Sequence, residues 1–322
     1  MRVAASGGGY WGQHPARPSH YGWVPDAASR PAKPLRRLAY RKLPMTIAAG
    51  FVHRDGVLLC ADTEHTSSTL KLHAAKVRHF EAKCGRIGVA YSGDATIAVT
   101  VIQGLEHKLK TLNVKNPLPV IRRVVDREYR RLVYTHPHFG YLHGPDFNLV
   151  LAVQPAGQAV SLHATRGVAV EDIRTYCCLG AGETFGRQLI QPTFTLKPAP
   201  SEVLLYAIRM LALVKEHVPD CGGDSMYLDL RHDGTIHQHY SDPLLEKIEG
   251  WIRTYQLVSW EALRALFDPL ATDEDFEHNL KVFNGRMRET WDALKADREI
   301  HQAFMDADRA KAARRRKPKE SG

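Results

Sequence analysis

Two apolar runs joined by Asp55-Gly56 constrain the fold of this chain more than any other feature of its sequence. The first run, TIAAGFVH, covers residues 46–53, and the second, VLLCAD, covers residues 57–62. Asp-Gly between two apolar runs is a strong signal for a β-hairpin. The hairpin brings Asp62 back beside Thr46, where the sequence that reads as folded begins.

Thr46 could act as a nucleophile if it were the first residue of the chain. A threonine hydroxyl needs a neighbouring base, and a free α-amino group, with a pKa of about 7.7 to 8.0, can take its proton. Met45 precedes it, and aminopeptidases remove an initiator methionine before a small residue. The alternative is that Met45 is an ordinary internal methionine.

Two later segments supply the other groups that acyl transfer needs. Lys76 leads a strand candidate over 76–80, and its positive charge would lower the pKa of the Thr46 amine. Asp62 would orient that lysine. A strand candidate ending at Ser92-Gly93 turns into a helix, which offers backbone N–H groups to an oxyanion.

The sequence blocks TIAAGFVHRDGVLLCADTEHT, AAKVRHF, IGVAYSGDA, CLGAGETFG and CGGDSMYLDLRHDG together resemble the proteasome beta-subunit family, in its bacterial proteasome-like form. The resemblance covers about residues 46–240. It implies an α+β fold, a four-layer αββα sandwich of the N-terminal nucleophile hydrolases, with a threonine peptidase site at one end of the sheets. No cofactor or metal is implied.

The resemblance also assigns roles to individual residues. Thr46 corresponds to the nucleophile, Asp62 to its acidic partner, and Lys76 to the family lysine if two residues are deleted in the preceding loop. Ser92 falls on the oxyanion-hole glycine, whose donor is a backbone N–H. The positions that fall at the substrate are Thr66, which would hold its backbone, and His65, Ala90 and Asp94, which would lie near its pocket.

Two departures from the family pattern concern supporting hydrogen bonds. Ala181 stands where active members carry a serine near the threonine amine. Cys221 replaces a second serine, and the aspartate that should precede it by three is displaced by two positions, to Asp220. We therefore expect weakened or retuned activity, with Asp220 and Cys221 kept as candidate site residues.

The formal net charge of +9 is carried by the two ends of the chain. Residues 1–44 hold +7 and residues 307–322 hold +5, which leaves −3 for residues 45–306. A basic tail is usually a solvated segment. We expect no nucleic acid partner, although binding of nucleic acid or of an acidic surface by the tails is the alternative.

The sequence predicts four segments. Residues 1–45 are rich in Gly, Pro and Arg and are expected to be disordered, as a propeptide, a start placed too far upstream, or a permanent extension. Residues 46–240 form the sandwich domain. Residues 241–306 form a helical extension, with helices over 242–255, 259–267 and from Thr272 onward, and residues 307–322 form a basic disordered tail.

Composition sets the remaining expectations. The longest nearly apolar stretch, 203–214, is too short to cross a bilayer, and residues 1–12 lack an apolar signal core, so a cytoplasmic location is expected. The five cysteines have no metal spacing and suit a reducing compartment. A loose cluster of His136, His138 and His143 is interpreted as solvated loop histidines, with zinc binding as the alternative.

The functional prediction is a threonine-type endopeptidase that cuts peptides or unfolded proteins. By resemblance, it would assemble into a homo-oligomeric ring with an ATP-dependent unfoldase as partner. Two alternatives are a small-amide amidohydrolase of the same fold and a catalytically weak or inactive structural subunit. A nucleic acid binder that uses its basic ends is the third.

Overall fold

The computed structural model describes residues 46–66, 71–139, 145–219, 221–267 and 272–316. The strands are β1 Ile47–His53, β2 Gly56–Asp62, β3 Glu64–Thr66, β4 Lys71–His73, β5 Val77–Ala82, β6 Gly85–Gly93, β7 Phe147–Pro155, β8 Ser161–Arg166, β9 Ala169–Ile173, β10 Tyr176–Gly180, β11 Ser225–Arg231 and β12 Ile236–Tyr240. The helices are α1 Ala95–Thr111, α2 Leu118–Tyr129, α3 Glu183–Ile190, α4 Pro200–His217, α5 Pro243–Phe267 and α6 Asp273–Arg316. A π-helical turn, Arg130–Tyr134, continues α2.

The strands form two five-stranded antiparallel sheets, with β3 and β4 as a separate hairpin. One sheet has the order β10-β1-β2-β11-β12, and the other has the order β5-β6-β7-β8-β9. The described chain is therefore a mixed α+β structure with antiparallel sheets, which confirms the predicted fold class at that level.

The predicted hairpin is present, as strands β1 and β2. Ala48 pairs with Ala61, and His53 pairs with Gly56 across the turn. Glycine is required at 56 because a Cβ there would lie 2.2 Å from the carbonyl oxygen of Leu230. The β11 strand pairs with the other edge of β2, so that Ser225 lies opposite Asp62. This arrangement fixes Asp62 at the same end of the sheet as Thr46.

Three apolar clusters hold the elements together. One cluster joins the inner faces of the two sheets, and it includes Ala48 and Leu59 from one sheet with Ala90 and Val150 from the other. A second packs α1 and α2 against the β5–β9 sheet. The third packs α3, α4 and the start of α5 against the other sheet. Burial of apolar surface on both faces of each sheet is the main stabilising term.

The structure differs from the predicted helices after residue 240. Residues 243–267 form one helix instead of two, because no glycine or proline interrupts the sequence between them. Ser259, expected to open a second helix, lies inside α5 and donates its hydroxyl to the Tyr255 carbonyl oxygen at 2.7 Å. The predicted start at Thr272 is correct, since its hydroxyl accepts the Asp275 backbone N–H at 3.2 Å.

Within the described residues, no helix combines the length and the apolar character that crossing a membrane requires.

Candidate active site

Thr46, Asp62 and Lys76 meet in one hydrogen-bonded cluster. The Thr46 hydroxyl donates to Oδ1 of Asp62 at 2.5 Å. The Lys76 ammonium donates to the same carboxylate oxygen at 2.7 Å, and it also donates to the Thr46 hydroxyl oxygen. Thr46 is 1% exposed, and Asp62 and Lys76 are fully buried. The structure thus brings together three residues that are 14 to 30 positions apart in sequence.

Lys76 has all three of its N–H donors engaged, because the third bonds to the Glu64 carbonyl oxygen. Burial lowers the pKa of the Lys76 ammonium, and the Asp62 carboxylate opposes that shift. An ammonium with three bonded donors cannot accept the Thr46 proton. The base for a reaction at Thr46 must therefore be another group, unless Lys76 gives up a proton and one of these bonds.

Neighbouring strands fix the positions of these side chains. Thr46 directly precedes β1 and Asp62 ends β2, while the Lys76 carbonyl accepts the Tyr91 backbone N–H at 3.2 Å. Gly180, at the end of β10, pairs with Ile47 and has a φ of +97°. A Cβ on Gly180 would lie 2.1 Å from the Thr46 carbonyl oxygen, so only glycine lets the two backbones approach this closely.

Backbone groups on the 222–224 segment also contact the site. The Gly222 N–H donates to Oδ2 of Asp62 at 3.0 Å, and the Ile47 N–H donates to Oδ1 at 3.2 Å. The Asp224 N–H donates to the Thr63 hydroxyl at 2.8 Å. Both oxygens of Asp62 therefore accept hydrogen bonds, and these bonds fix the orientation of the carboxylate. The sequence analysis did not identify Gly222 or the Glu64 carbonyl, since neither role depends on a side chain.

Ser92 lies on the inner face of β6 at the same end of the sheets. It is buried, and its Cβ is 3.0 Å from where a Cβ on Gly180 would stand. Its hydroxyl has no hydrogen-bond partner among the described residues. The Tyr91 N–H of β6 donates to the carbonyl of Lys76, the residue before β5. The Asp94 N–H, just after β6, donates to the carbonyl of Asp146, the residue before β7 on the opposite side. Because successive N–H groups alternate sides, the Ser92 N–H faces β7 and the Gly93 N–H faces the Lys76 side.

His65, Asp94 and Ala90 were expected at the substrate pocket, and each makes a different set of contacts. The His65 ring stacks on Tyr91 at a centroid distance of 5.8 Å, and its Nε2 lies 3.3 Å from the Tyr91 hydroxyl. Burial and the nearby Lys76 charge lower the pKa of His65 to about 4, against the opposing effect of Asp94. Asp94 caps α1 by accepting the Thr96 and Ile97 N–H groups. Ala90 is buried in the cluster between the sheets.

The structure describes the remaining predicted site residues only in part. Cys221 is buried, and it directly precedes Gly222, whose N–H donates to Asp62, so it lies next to the cluster. Ala181 lies on an exposed turn after β10. Thr66 ends β3, but its side chain lies outside the described residues, and so does the whole of Asp220.

No group of three or more His, Cys, Asp or Glu side chains in the described ranges could hold a metal ion. Of the loop histidines, His136 and His138 have ring centroids 5.5 Å apart, with the rings tilted by 43°, while His143 lies outside the described residues.

The fold and the cluster define a class of protein: two antiparallel sheets with packed helices, and a threonine hydroxyl held by a buried Lys–Asp pair at one end. Comparisons with solved structures agree with that fold. The helical assembly of the Anbu complex from Pseudomonas aeruginosa matches with a TM-score of 0.60 at 14% identity, over 70% of this chain and 98% of that chain. Anbu, an ancestral beta-subunit, from Yersinia bercovieri matches with a TM-score of 0.57 at 14% identity, over 70% and 98%.

A third match is a mutant Anbu from Hyphomicrobium sp. strain MC1, with a TM-score of 0.57 at 11% identity, over 68% of this chain and 99% of that chain. No family model matches the sequence, and no curated protein matches it. The assignment to the proteasome beta-subunit family is therefore wrong, because the matching structures belong to Anbu, a distinct family. At these identities the likeness shows the fold alone.

Proposed function

We propose that this chain is an Anbu-like threonine-type peptidase that becomes active when Thr46 is its first residue. The observation that carries the proposal is the convergence of Lys76 and Asp62 on the Thr46 hydroxyl in a buried cluster. Fixed charges in a water-poor site interact more strongly with a reacting group than they would in water. The same three residues are the ones that sequence reasoning selected.

In the proposed mechanism, the free amine of Thr46 takes the hydroxyl proton while the hydroxyl oxygen attacks the scissile carbonyl carbon. Lys76 stays protonated and stabilises the developing negative charge, and Asp62 holds the lysine. The proton passes from the amine to the leaving amine, which leaves an ester on Thr46. Water, activated by the same amine, then hydrolyses the ester and frees the acid.

The Gly93 N–H is the backbone group that we propose for the oxyanion. Ser92 was the residue selected from the sequence, but the N–H of Ser92 faces β7. The Gly93 N–H faces the side of β6 on which Lys76 lies. This choice rests on the alternating direction of successive N–H groups along β6. The buried Ser92 hydroxyl remains available as a second contact for the acyl group.

We further propose the four-layer αββα arrangement of the N-terminal nucleophile hydrolases for residues 46–240. The three apolar clusters, one between the sheets and one under each helix pair, support it. Residues 1–45 would then be an extension whose removal or absence frees Thr46. Residues 241–306 would be a helical addition. Residues 307–322 would be a basic tail, although α6 continues through Arg316 and so includes the first part of the segment that was expected to be disordered.

The proposed substrates are peptides or unfolded proteins in the cytoplasm, and the proposed working form is an oligomer. The Anbu complex from Pseudomonas aeruginosa forms a helical assembly. A repeated head-to-tail interface closes into a ring or continues as an open helix, depending on its rotation. Electron microscopy of the purified protein would distinguish these two forms, and an ATP-driven unfoldase is the partner we would seek.

The decisive experiment compares two forms of the protein: the full chain, and a chain translated from Met45 so that methionine removal leaves Thr46 first. Both are treated with a threonine-directed covalent probe and analysed by intact mass and peptide mapping. We expect labelling of Thr46 only in the second form, and none in its Thr46→Ala variant. A fluorogenic peptide panel and a set of acylated small amines then test the substrate class.

Three results would overturn the proposal. Labelling that persists in Thr46→Ala would place the nucleophile elsewhere, with Cys221 the first residue to test. No labelling in either form would favour the inactive structural protein, consistent with the exposed Ala181 in place of a hydrogen-bonding serine. Turnover of small amides alone would replace the peptidase with an amidohydrolase.

A further inference from the structure

Glu249 is a buried carboxylate on α5, outside the segment in which the nucleophile, Lys76 and Asp62 lie. It is 4% exposed. Its Oε2 accepts a hydrogen bond from Lys215, in the last turn of α4, at 2.5 Å. Its Oε1 accepts one from the Tyr227 hydroxyl at 3.0 Å. A carboxylate placed this deeply needs these bonds, because burial strongly disfavours an unpaired charge.

Lys215 connects this carboxylate to the loop before β11. Its other donors bond to the Gly223 carbonyl oxygen at 3.2 Å and to the Ser225 hydroxyl at 2.9 Å. All three ammonium donors of Lys215 are therefore engaged, and two of the acceptors belong to the chain segment that reaches the Thr46 site.

The 222–224 segment lies directly against that site. The Gly222 N–H bonds to Asp62 at 3.0 Å, and the Gly222 carbonyl accepts the Glu64 N–H at 3.1 Å. A Cβ on Gly222 would lie 2.4 Å from Oε2 of Glu64. A Cβ on Gly223, where φ is +72°, would lie 2.5 Å from Thr63 and 2.5 Å from the His73 ring. The segment therefore packs with no space for a side chain, and a small displacement would move the Gly222 N–H.

We propose that Glu249 is a positioning residue for the Thr46 site. Through Lys215 it holds the Gly223 carbonyl, and so it sets the Gly222 N–H against Asp62. The proposal rests on the proposed function for its catalytic meaning. It makes helix α5 part of the machinery that orders the site, although α5 contributes no group to the reacting atoms.

Helix docking and loop positioning can be separated by mutation. Apolar side chains also hold α5 in place: Leu245 is buried, and Ile248 and Ile252 pack against the same cluster. Replacement of a buried ion pair by apolar residues of similar size is often neutral for stability. The double variant Lys215→Met with Glu249→Met should therefore keep α5 docked while it removes the bonds to Gly223 and Ser225.

The experiment measures amide hydrogen exchange by NMR in the full chain. The variants are Glu249→Gln, the double methionine variant, and Glu106→Gln, which removes the acid of the exposed Lys110–Glu106 pair as a control. We expect exchange at the Gly222 and Asp224 amides to rise about 10-fold in the first two variants, the scale of losing one charge-assisted hydrogen bond. Exchange at Leu151, in the centre of β7, should stay unchanged.

A kinetic readout tests the catalytic meaning in whichever form of the protein reacts at Thr46. In the double methionine variant we expect kcat to fall about 10-fold with KM unchanged, because only the geometry at Asp62 changes. Gly222 exchange equal to that of Glu106→Gln, or equal acceleration at Leu151, would overturn the positioning role. If wild-type protein never reacts at Thr46, the proposed function fails, and the Gly222 exchange ratio still decides whether Glu249 places the loop.

Discussion

The sheet that contains β1, β2 and β11 has a buried aspartate near each of its ends, and the surroundings of the two differ. Asp62 bonds to a threonine hydroxyl and to a lysine. Asp229 bonds to His53 at 2.9 Å and to Arg231 at 3.0 Å. The first cluster holds a threonine hydroxyl, which we propose as the nucleophile, whereas the second, of Asp229, His53 and Arg231, holds no hydroxyl or thiol. A buried acid with a cation is therefore not by itself a sign of catalysis.

The electrostatic balance also differs between the two ends. At Asp229, burial raises the pKa, but the hydrogen bonds from His53 and Arg231 outweigh it and the pKa is lowered. At the other end, burial lowers the pKa of Lys76 despite the opposing carboxylate. The contacts at Asp229 thus stabilise its ionised form. The Thr46 end keeps a cation that burial disfavours, a common property of reactive sites.

The same change at the two aspartates should give the largest contrast. Asp62→Asn leaves Lys76 without its charge partner, so we expect Thr46 labelling to fall about 100- to 10,000-fold, the range for loss of a group that supports proton transfer. Asp229→Asn should leave the labelling rate per folded molecule unchanged and cost about 1 to 3 kcal/mol of stability. Labelling rates and urea unfolding check both, and equal labelling in the two variants would remove the distinction.

Gly180 and Gly157 both have positive φ, but they differ in how closely other atoms approach the position of a Cβ. Gly180 approaches the Thr46 carbonyl, whereas Gly157, in the turn after β7, has a φ of +71° and no atom within 4 Å of its missing Cβ. Gly157→Ala should cost about 1 to 2 kcal/mol through its backbone conformation alone. Gly180→Ala should cost roughly 3 kcal/mol or more, because the clash is with backbone. Thermal and urea unfolding measure both, and equal costs would contradict the close approach.

His65 gives a prediction of pH dependence at the Thr46 end. Its pKa in the folded protein is about 4, below the ordinary 6.5, so the unfolded chain binds more protons between these pH values. Stability should therefore fall as the pH drops from about 6.5 to about 4. His65→Gln should weaken this dependence, whereas His79→Gln, at an exposed histidine of β5, should leave it intact. Urea midpoints across this pH range provide the measurement.

Ser92→Ala should have the smallest effect. Its hydroxyl is buried without a partner, so removal should be neutral or should stabilise the fold by about 1 kcal/mol. The useful readout is the labelling rate of Thr46. A loss of up to about 10-fold would indicate that the hydroxyl contacts the acyl group, by the energy of one hydrogen bond. An unchanged rate would assign the oxyanion to backbone donors alone.

The sequence predicted the β1–β2 hairpin, with Asp62 beside Thr46, because alternation and the Asp-Gly turn are local signals. Lys76 precedes a strand of the other sheet, and it was matched to the site through the family resemblance. It did not predict the roles of Gly222 and the Glu64 carbonyl, since a backbone partner depends on where a distant loop lies. The Lys215–Glu249 pair joins two helices, and no periodicity within either helix identifies it. The proteasome assignment was wrong because short blocks around a site do not separate families that share a fold.

The antiparallel register of β2 and β11 also separates the two aspartates. Asp62 pairs with Ser225, and Asp229 pairs with Leu58, so four strand residues, or roughly 13 Å, lie between the acids. Changes at sites more than about 7 to 10 Å apart usually contribute independently to stability. The free-energy costs of Asp62→Asn and Asp229→Asn should then add within about 0.5 kcal/mol. Substitutions at one end of β2 and β11 should then change the free energy of unfolding without altering the cost of substitutions at the other end.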